Sequence, residues 1–514
     1  MPTPRSGTPL PVSRRQALGL GATGAALLLP ATRWAATANA AEAPPAWVGV
    51  SGEALREPAV LRSVDGVLDV TLRAGPVRVP VDGRPWHLLG YDVPGADPAA
   101  DSGLPGPTLV VQPGDRLRVR LLNDLPEPTN LHTHGLHVSG EGTGDNVFRV
   151  VESLDAMDVT VDLRADHRPG THWYHPHLHG WGARQLFGGL AGALVVEPRG
   201  GQGSTGSGRR APRERVMLLH SLQVDADGRP LDPLAARQSA HTRLVNGQLD
   251  PVVDIAPGET QRWRLVNSSV NDVLRLRLDG LDVEHVASDG LSLRRPHRVE
   301  ELELSAGQRA DLLVTGREPG EHVFETMPVE VGFGVVLPAA RLATVRVGGA
   351  SRTPRQVRLV DAGRPPEDLR HARVDARHEL AMTMTGGFGI DGRPYEPGRI
   401  DRVMRLGSVE EWTVHNPTGL IHPFHIHVNP FQVTHVDGEP VQDPEWRDTV
   451  LVGRNGGSVT FRTRFEDFTG RVVYHCHFST HHDLGMMGVA EVVAPGEDPV
   501  GFPDDEPGAH AEHG

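Results

Sequence analysis

The chain repeats one short phrase three times. The clearest copies are PGDRLRVRLLN at 113–123 and PGETQRWRLVN at 257–267, and a fainter copy is GSVEEWTVHN at 407–416. In each copy a turn glycine precedes an asparagine by nine residues, and the copies lie 144 and 149 residues apart. Alternation of apolar and polar residues after a turn predicts a β-strand, and the interval is about one domain length. The sequence therefore predicts three copies of one β domain.

A second repeated phrase supports this division. It reads GTHWYHPH at 170–177, GEHVFETM at 320–327 and GRVVYHCH at 470–477. The 60 glycines and 44 prolines, against only 5% aromatic residues, favour many short strands and turns over long helices. The predicted fold class is all-β, with three β-sandwich domains that have Greek-key connections.

Changes in composition indicate the domain boundaries. We predict domain 1 at 41–198, a Gly/Ser/Arg-rich linker at 199–215, domain 2 at 216–350, domain 3 at 351–495 and an acidic tail at 496–514. Such a linker and such a tail are typical of exposed segments between and after packed domains.

The first 40 residues have the layout of an export signal. An arginine pair at 14–15 precedes an apolar run at 17–29, and a small-x-small cleavage sequence follows at 38–40. The run is too short to span a membrane, and no later apolar stretch is long enough. We predict a twin-arginine signal peptide over 1–40, read by the twin-arginine export machinery. The mature protein is then expected to be periplasmic, at the cell surface or extracellular.

Charge and cysteine content exclude several classes of function. The formal net charge is −14, and an acidic surface repels nucleic acid backbones. The single cysteine, Cys476, excludes an internal disulfide, a Cys-rich zinc site and a four-Cys iron–sulfur cluster. The chain has no lysine, which excludes Schiff-base chemistry. The 27 histidines are therefore the main candidates for chemistry.

The histidines follow the repeats. In copies 1 and 3 a His-x-His pair begins nine residues after the asparagine of the first phrase, and the second phrase ends in another pair. The eight residues are His132, His134, His175, His177, His425, His427, His475 and His477. The middle copy has Leu276 and Leu278 at the first position and Glu325 and Met327 at the second. The simplest arrangement packs domain 1 against domain 3 with eight imidazoles between them, and domain 2 becomes a spacer.

Strand alternation explains the spacing of the pairs. Residues i and i+2 of a strand share a face and lie roughly 6.5–7 Å apart, so the two histidines of a pair can bind different metals of one cluster. The thiolate of Cys476 points to the opposite face, towards a second centre. Cys476 with His422, His481 and a weak axial Met486 makes a blue-copper electron-transfer set. Imidazoles without carboxylates suit copper better than calcium or magnesium.

Four segments together resemble the copper signatures of the multicopper oxidases, the family of laccases, ascorbate oxidases and bacterial cuprous oxidases. They are HTHG at 132–135, WYHPH at 173–177, HPFHIH at 422–427 and HCHFSTHHDLGM at 475–486. The signatures stand in order, and the resemblance covers nearly all of the predicted mature chain. It implies three cupredoxin-like domains, with four copper ions per chain and the copper cluster between domains 1 and 3.

The resemblance also implies a ligand set. Type 1 copper would be held by His422, Cys476, His481 and Met486, and type 2 copper by His132 and His425. One type 3 copper would be held by His134, His175 and His477, and the other by His177, His427 and His475. The segment through Cys476 would carry electrons to the cluster at His475 and His477.

The implied reaction couples four one-electron oxidations of a small reducing substrate to the reduction of O₂ to two waters. Because O₂ reduction consumes protons, an acid is expected near the cluster, and Asp145 resembles the acidic residue of bacterial members. Several members carry Glu directly after the second type 1 histidine, where this chain has His482. The flanking His137, His172 and His179 fall outside the pattern and are predicted to be structural.

The electron donor is the open part of the function. The first hypothesis is a phenol or an aromatic amine. The second is Cu(I) or Fe(II), although the 9 methionines form no long Met-rich insert of the kind that cuprous oxidases often carry. The third is a non-catalytic cupredoxin-fold protein, such as those serving cell division, which has typically lost copper ligands that this chain retains. Three-domain members are commonly monomers, and we expect a monomer here.

Overall fold

The computed structural model describes residues 52–96, 103–199, 212–352 and 366–502. The predicted signal peptide, most of the predicted linker and most of the acidic tail lie outside the described residues. The strands of the described part run over 60–196, 213–347 and 376–493 and form three two-sheet sandwiches. The exact domain bounds stay a prediction.

The first sandwich contains nine strands and one short helix. They are β1 (Val60–Arg62), β2 (Val67–Val81), β3 (Arg84–Asp92), β4 (Gly106–Val111), β5 (Arg116–Asn123), β6 (His132–His134), β7 (Ala156–Asp162), β8 (Gly170–His175), α1 (Gly182–Gly188) and β9 (Gly192–Val196). One sheet has the order β3-β2-β5-β7, and the other has the order β1-β4-β9-β8-β6.

The second sandwich follows the same plan with an added hairpin. Its strands are β10 (Arg213–Leu222), β11 (Thr242–Val245), β12 (Val252–Ile255), β13 (Thr260–Asn267), β14 (Leu274–Leu278), β15 (Leu281–Ser288), β16 (Leu291–Arg298), β17 (Glu301–Leu304), β18 (Arg309–Gly316), β19 (Gly320–Met327), β20 (Val329–Gly332), β21 (Val335–Leu337) and β22 (Ala340–Val347). The sheets have the orders β11-β10-β13-β18-β15-β16 and β12-β22-β19-β14-β17, and β20 pairs with β21 as a separate hairpin.

The third sandwich contains the last twelve strands. They are β23 (Ala376–Thr383), β24 (Gly389–Ile390), β25 (Arg402–Arg405), β26 (Val409–Asn416), β27 (His422–Ile426), β28 (Phe431–Val436), β29 (Glu439–Pro440), β30 (Trp446–Arg447), β31 (Thr449–Val452), β32 (Gly457–Arg464), β33 (Gly470–Cys476) and β34 (Met487–Val493), with α2 (Ser479–Asp483) before β34. The sheets have the orders β24-β23-β26-β32-β28-β29, with β30 beside β28, and β25-β34-β33-β27-β31.

The repeated phrases occupy equivalent strands. The first phrase forms β5, β13 and β26, each parallel to the first long strand of its sandwich and antiparallel to a later one. The second phrase forms β8, β19 and β33, each paired antiparallel with the last strand of its sandwich. The internal repeat of the sequence is therefore a structural repeat.

The asparagine that ends the first phrase makes the same bonds in all three sandwiches. The side-chain N–H groups of Asn123 donate to the carbonyls of Glu127 and Val151, at 2.9 and 3.0 Å. Its side-chain oxygen accepts a backbone N–H two residues on, at 3.0 Å. Asn267 and Asn416 make the equivalent three bonds, and all three side chains are fully buried. We call these residues the asparagine clamps.

Each sandwich encloses its own apolar core, and further clusters join the sandwiches. In the third sandwich the core packs around the fully buried Trp412. A cluster that includes Phe187 and Leu218 joins the first sandwich to the second. Another, with Phe148 and Val489, joins the first to the third. This last contact brings together the two sandwiches that carry the histidine pairs.

The described residues contain only short helices. The two α-helices have seven and five residues, and single 3-10 turns occur at Gln238–Ala240 and Leu369–His371. In this part of the chain no helix is long and apolar enough to cross a membrane.

Candidate metal centres

The eight paired histidines meet where the first and third sandwiches face each other. Strands β6 and β8 set His132 opposite His175, and β27 and β33 set His425 opposite His475. All eight side chains belong to residues that are at most 5% exposed. The ring of His134 stacks on that of His425 with centroids 4.0 Å apart, so histidines from the two sandwiches interleave.

Three of these histidines point at a common centre. The Nε2 atoms of His177, His427 and His475 lie 3.0 to 3.3 Å from one another. A ring nitrogen carries either a proton or a lone pair, so three mutually close ones cannot all be paired by hydrogen bonds. A metal ion among three lone pairs removes this conflict. The three residues make up one of the two predicted type 3 sets.

Backbone and carboxylate acceptors fix the tautomers of four cluster histidines, one of which is His475. The Nδ1–H groups of His175, His425 and His475 donate to the carbonyls of Pro176, Asp448 and Cys476 at 2.8 to 2.9 Å. His132 Nδ1 makes the same kind of bond to a carboxylate oxygen of Asp145, at 2.8 Å. Each ring then presents Nε2 as a lone pair. The Nε2 atoms of His132, His175 and His425 are buried and have no hydrogen-bond partner among the described residues.

His134 is oriented the other way round. Its Nε2 lies 3.2 Å from Oδ1 of Asp448, and its Nδ1 lies 3.3 Å from Nε2 of His477. The ring of His175 is 5.6 to 5.7 Å from both of these rings, centroid to centroid. The structure thus brings the members of the second predicted type 3 set together. His132 and His425, the predicted type 2 pair, lie 6.1 Å apart by ring centroids with unpaired Nε2 atoms.

Burial keeps six of the cluster histidines neutral. Desolvation is the main cause that lowers their pKa well below the ordinary range, and neighbouring imidazoles add to the effect. The six are His134, His175, His177, His427, His475 and His477. Neutral imidazole is the form that binds metal, so the arrangement suits copper ions without prior loss of protons.

A second centre lies on the other face of β33. The Sγ atom of Cys476 is 3.5 Å from Nδ1 of His422 and 3.6 Å from Nδ1 of His481, and these nitrogens are 3.1 Å apart. Burial raises the pKa of the Cys476 thiol, so a thiolate there requires a cation beside it. His422 Nε2 is 2.8 Å from the hydroxyl of Thr418, which leaves Nδ1 facing the sulfur.

Backbone hydrogen bonds close this second centre. The N–H of Cys476 donates to the carbonyl of Met486 at 3.0 Å, and the N–H of Met486 donates to the carbonyl of His481 at 2.9 Å. Met486 is fully buried. Met487 points elsewhere, because its sulfur lies 3.1 Å from Nε2 of His482. We call this arrangement the 476–486 loop.

Asp145 is an orienting acceptor in this structure. Besides His132, its carboxylate accepts the N–H and the hydroxyl of Thr133, at 2.6 and 3.0 Å. Burial raises the pKa of Asp145, but His132 and Thr133 outweigh it and the net pKa is lowered. Asp145 is therefore a carboxylate that holds the tautomer of His132, and a role in supplying protons stays a prediction.

His482 lies beside the cluster. Its ring is 4.6 Å from that of His177 and 4.9 Å from that of His475. Its Nδ1 lies 2.9 Å from a carboxylate oxygen of Asp483. His482 follows the second predicted type 1 histidine directly, but it occupies the edge of the cluster and not the type 1 centre.

The three flanking histidines have positions of their own. His137 bridges two sandwiches, because its ring nitrogens contact the carbonyl of Val428 at 2.9 Å and the carboxylate of Asp467 at 3.1 Å. His172 lines a cavity of about 200 Å³. His179 packs on the ring of Tyr395 at 4.7 Å.

Asp448 is a residue of the site that the sequence patterns did not indicate. Its carboxylate and its carbonyl contact two different cluster histidines, His134 and His425. Arg309 of the second sandwich contacts both carboxylate oxygens of Asp448, at 2.8 and 2.6 Å. The second sandwich was expected to be a spacer, and this expectation is wrong because Arg309 reaches the surroundings of the cluster. Asp448 belongs to no repeat and to no motif with a fixed spacing, so its role could not be predicted from the sequence.

Comparisons with known proteins agree with this geometry. Residues 98–201, 220–332 and 364–495 each match a sequence family described as multicopper oxidase. A multicopper oxidase of Staphylococcus haemolyticus is 29% identical over 422 residues, which cover 79% of this chain and 84% of that protein. Cell division protein FtsP of Edwardsiella tarda is 29% identical over 360 residues, which cover 68% and 75%.

Solved structures show the same architecture. A multicopper oxidase from Campylobacter jejuni, described as a metallo-oxidase, matches with a TM-score of 0.72 and 26% identity, covering 86% of this chain and 95% of that one. The match confirms the predicted fold class of three cupredoxin-like sandwiches.

Proposed function

Since this chain belongs to the multicopper oxidase family, we propose that it is an exported, laccase-like oxidase of phenolic or aromatic amine donors. The chain is a copper-binding oxidoreductase. Its donor, its copper stoichiometry and its location are what we propose. Four donors each give up one electron, and one O₂ takes up these four electrons and four protons to give two waters.

The proposed copper sites follow the predicted ligand sets. Cys476, His422, His481 and Met486 would hold the type 1 ion, His132 and His425 the type 2 ion, and His134, His175 and His477 with His177, His427 and His475 the type 3 pair. When bound, these four ions supply one-electron transfer at the type 1 site and four-electron reduction of O₂ at the cluster.

The protein contributes a short link and a dry environment. Cys476 belongs to the second centre, and its chain neighbours His475 and His477 belong to the cluster, so only a few covalent bonds separate the two. Cys476 is fully buried, and its two neighbours are 3% and 1% exposed, which excludes bulk water from the link.

One observation carries the choice of an organic donor. Burial alone lowers the pKa of His422 to about 4, and the pKa of His481 is lowered by burial and by His422, with no contribution from any carboxylate in the described part of the chain. His481 is 8% exposed against 0% for His422, and its ring stacks on Phe388 at 4.6 Å. An apolar, uncharged edge favours aromatic rings, whereas Fe(II) would require oxygen ligands.

The test is O₂ uptake by the copper-loaded protein with four donors in parallel: a phenol, an aromatic amine, Cu(I) and Fe(II). We expect uptake with the organic donors to exceed that with both metal ions, and Cys476→Ser to abolish it. Faster uptake with Cu(I) or Fe(II) would make the protein a metallo-oxidase, like the Campylobacter relative as described. No uptake from a protein shown to hold copper would favour the third hypothesis, a non-catalytic role.

Export rests on the sequence of the first 40 residues. We expect cell fractionation to find the full-length protein outside the cytoplasm and a variant lacking 1–40 inside it. The expected monomer can be checked on the same preparation by light scattering.

A further inference from the structure

We propose that the second sandwich, which carries none of the proposed copper ligands, positions the ligands of two copper sites. It does so through the loop 307–309 and Asp289, which act through Asp448 on His134 and His425. The inference rests on the copper assignment of the proposed function.

Arg309 connects all three sandwiches. It stands at the start of β18, and its two terminal nitrogens donate to the two carboxylate oxygens of Asp448 in the third sandwich, at 2.8 and 2.6 Å. Its Nε donates to the carbonyl of Thr171, at 3.3 Å, on the strand of the first sandwich that ends at His175. The Arg309 side chain is fully buried. A bidentate guanidinium fixes both the position and the plane of a carboxylate.

Asp448 in turn orients two of the proposed copper ligands. Its Oδ1 accepts from Nε2 of His134 at 3.2 Å, so that Nδ1 of that ring faces the cluster. Its backbone carbonyl accepts from Nδ1 of His425 at 2.8 Å, so that Nε2 of that ring faces the cluster. The hydroxyl of Thr449 also donates to Oδ1 of Asp448, at 2.9 Å. One residue thus sets the orientation of a proposed type 3 ligand and of a proposed type 2 ligand.

Asp289 holds the backbone of the same segment. One oxygen of its carboxylate accepts the N–H groups of Asp448 and Thr449, both at 3.2 Å, and the other accepts the N–H of Arg309 at 3.0 Å. The side chain of Gln308 donates to the carbonyl of Thr449 at 3.0 Å. Residues of the second sandwich therefore hydrogen-bond both to the side chain of Asp448 and to the backbone around it.

The loop also packs directly on a third ligand. A Cβ atom on Gly307 would lie 2.7 Å from three atoms of the His477 ring, which is closer than van der Waals contact allows. Gly307 has a φ of 86°, a backbone conformation that favours glycine. The backbone at Gly307 thus lies against the ring of a proposed type 3 ligand.

Arg309 has a second consequence for the metal site. Ligand atoms of His134, His425 and Asp448 lie within 4.8 Å of one another, so Asp448 is close enough to become an oxygen ligand. Pairing with Arg309 neutralises this carboxylate and directs its oxygens to the guanidinium. Without Arg309 the buried charge loses its partner, and a bound cation is the nearest substitute. Arg309 therefore prevents Asp448 from adding an oxygen ligand to the histidine nitrogens of the proposed type 2 site.

The test compares Arg309→Met with Arg264→Met. Arg264 is the matched control because its side chain is 2% exposed, it pairs with Glu214 and Asp311 at 3.0 Å, and it donates to the Thr171 hydroxyl at 2.8 Å. For Arg309→Met we expect the electron paramagnetic resonance spectrum of type 2 copper to shift towards oxygen ligation, because the released Asp448 carboxylate can replace a displaced histidine as ligand. The blue type 1 absorption should be unchanged. Arg264→Met should retain the type 2 spectrum of the wild type.

A second pair of variants covers the case in which Arg309→Met fails to fold. Gly307→Ala should weaken the near-ultraviolet absorption of the type 3 pair by displacing His477. Gly407→Ala is its control, because Gly407 has a φ of 85° and no atom within 4 Å of the added Cβ.

Two outcomes would overturn the inference: wild-type copper spectra in Arg309→Met and Gly307→Ala, or the same changes in both controls. A wild-type protein that binds no copper would instead overturn the proposed function. The two failures are therefore distinguishable.

Discussion

At the scale of single residues, the asparagine clamps are expected to contribute to stability. Asn267 belongs to the sandwich without proposed ligands, and in the described part of the chain its side chain bonds only to backbone groups of that sandwich. Removing it leaves buried backbone groups without partners, at a cost of roughly 1–3 kcal/mol for such groups.

We therefore expect Asn267→Ala to lower the free energy of unfolding by about 2–3 kcal/mol. Chemical denaturation measures this, with Gln442→Ala as the control because Gln442 is exposed. Equal stabilities of the two variants would show that the clamp bonds contribute nothing net.

Single residues also differ in whether their place in the site could be predicted from the sequence. The histidines could be predicted because strand alternation puts residues i and i+2 on one face and because the pairs recur at a fixed offset from the asparagines. Arg309 and Asp448 could not. They lie 139 residues apart in the chain, and nothing local distinguishes Arg309 from the other 50 arginines. Their pairing exists only in the tertiary structure.

At the scale of elements, the central strands could be predicted from the sequence, whereas the hairpin β20–β21 could not. Its turn places Phe333 and Gly334 at φ values of 51° and 76°, as in a type I′ turn, which a bulky residue such as Phe rarely enters. The Phe333 ring packs over Gly419, in the loop that leads to His422, yet Phe333 is 70% exposed. A backbone strained to expose an aromatic ring suggests a contact with another molecule.

We expect Phe333 to stack on the organic donor near the type 1 centre. An aromatic contact contributes about 1 kcal/mol, so Phe333→Ala should raise the KM for a phenol about fivefold. The kcat and the KM for O₂ should remain those of the wild type. Val64→Ala is the control, because Val64 is also 70% exposed but lies in the first sandwich. An unchanged phenol KM would place the donor elsewhere.

At the scale of the whole molecule, the buried imidazoles make the copper-free fold sensitive to acid. The folded protein lowers the pKa of these histidines, so they stay neutral where the unfolded chain binds protons, below about pH 6.5. The unfolded state then carries more protons, and stability falls as pH drops below 6.5.

The expected slope is about 1.4 kcal/mol per pH unit for each histidine kept neutral. Denaturation of the copper-free protein between pH 8 and pH 5 measures it. His475→Gln should reduce the slope by about 1.4 kcal/mol per pH unit, because one histidine fewer is kept neutral in the folded state. His415→Gln is the control, because that side chain is 44% exposed and lies outside the cluster. A flat profile would contradict the neutral cluster.

The arrangement of the three sandwiches was only partly predictable. Paired histidines in copies 1 and 3 indicated that these two sandwiches face each other, and the apolar cluster around Phe148 shows that they do. The contribution of the second sandwich depends on contacts between side chains far apart in the chain, which periodicity does not encode.

The 476–486 loop has a consequence for the timescale of metal exchange. Its two backbone hydrogen bonds join Cys476 to Met486 and Met486 to His481, and Cys476 and Met486 lie in the apolar core of the third sandwich. Opening these bonds would expose core residues, so the segment should open less often than a surface loop. We therefore expect an ion bound there to leave slowly, at a rate set by this local opening and not by diffusion.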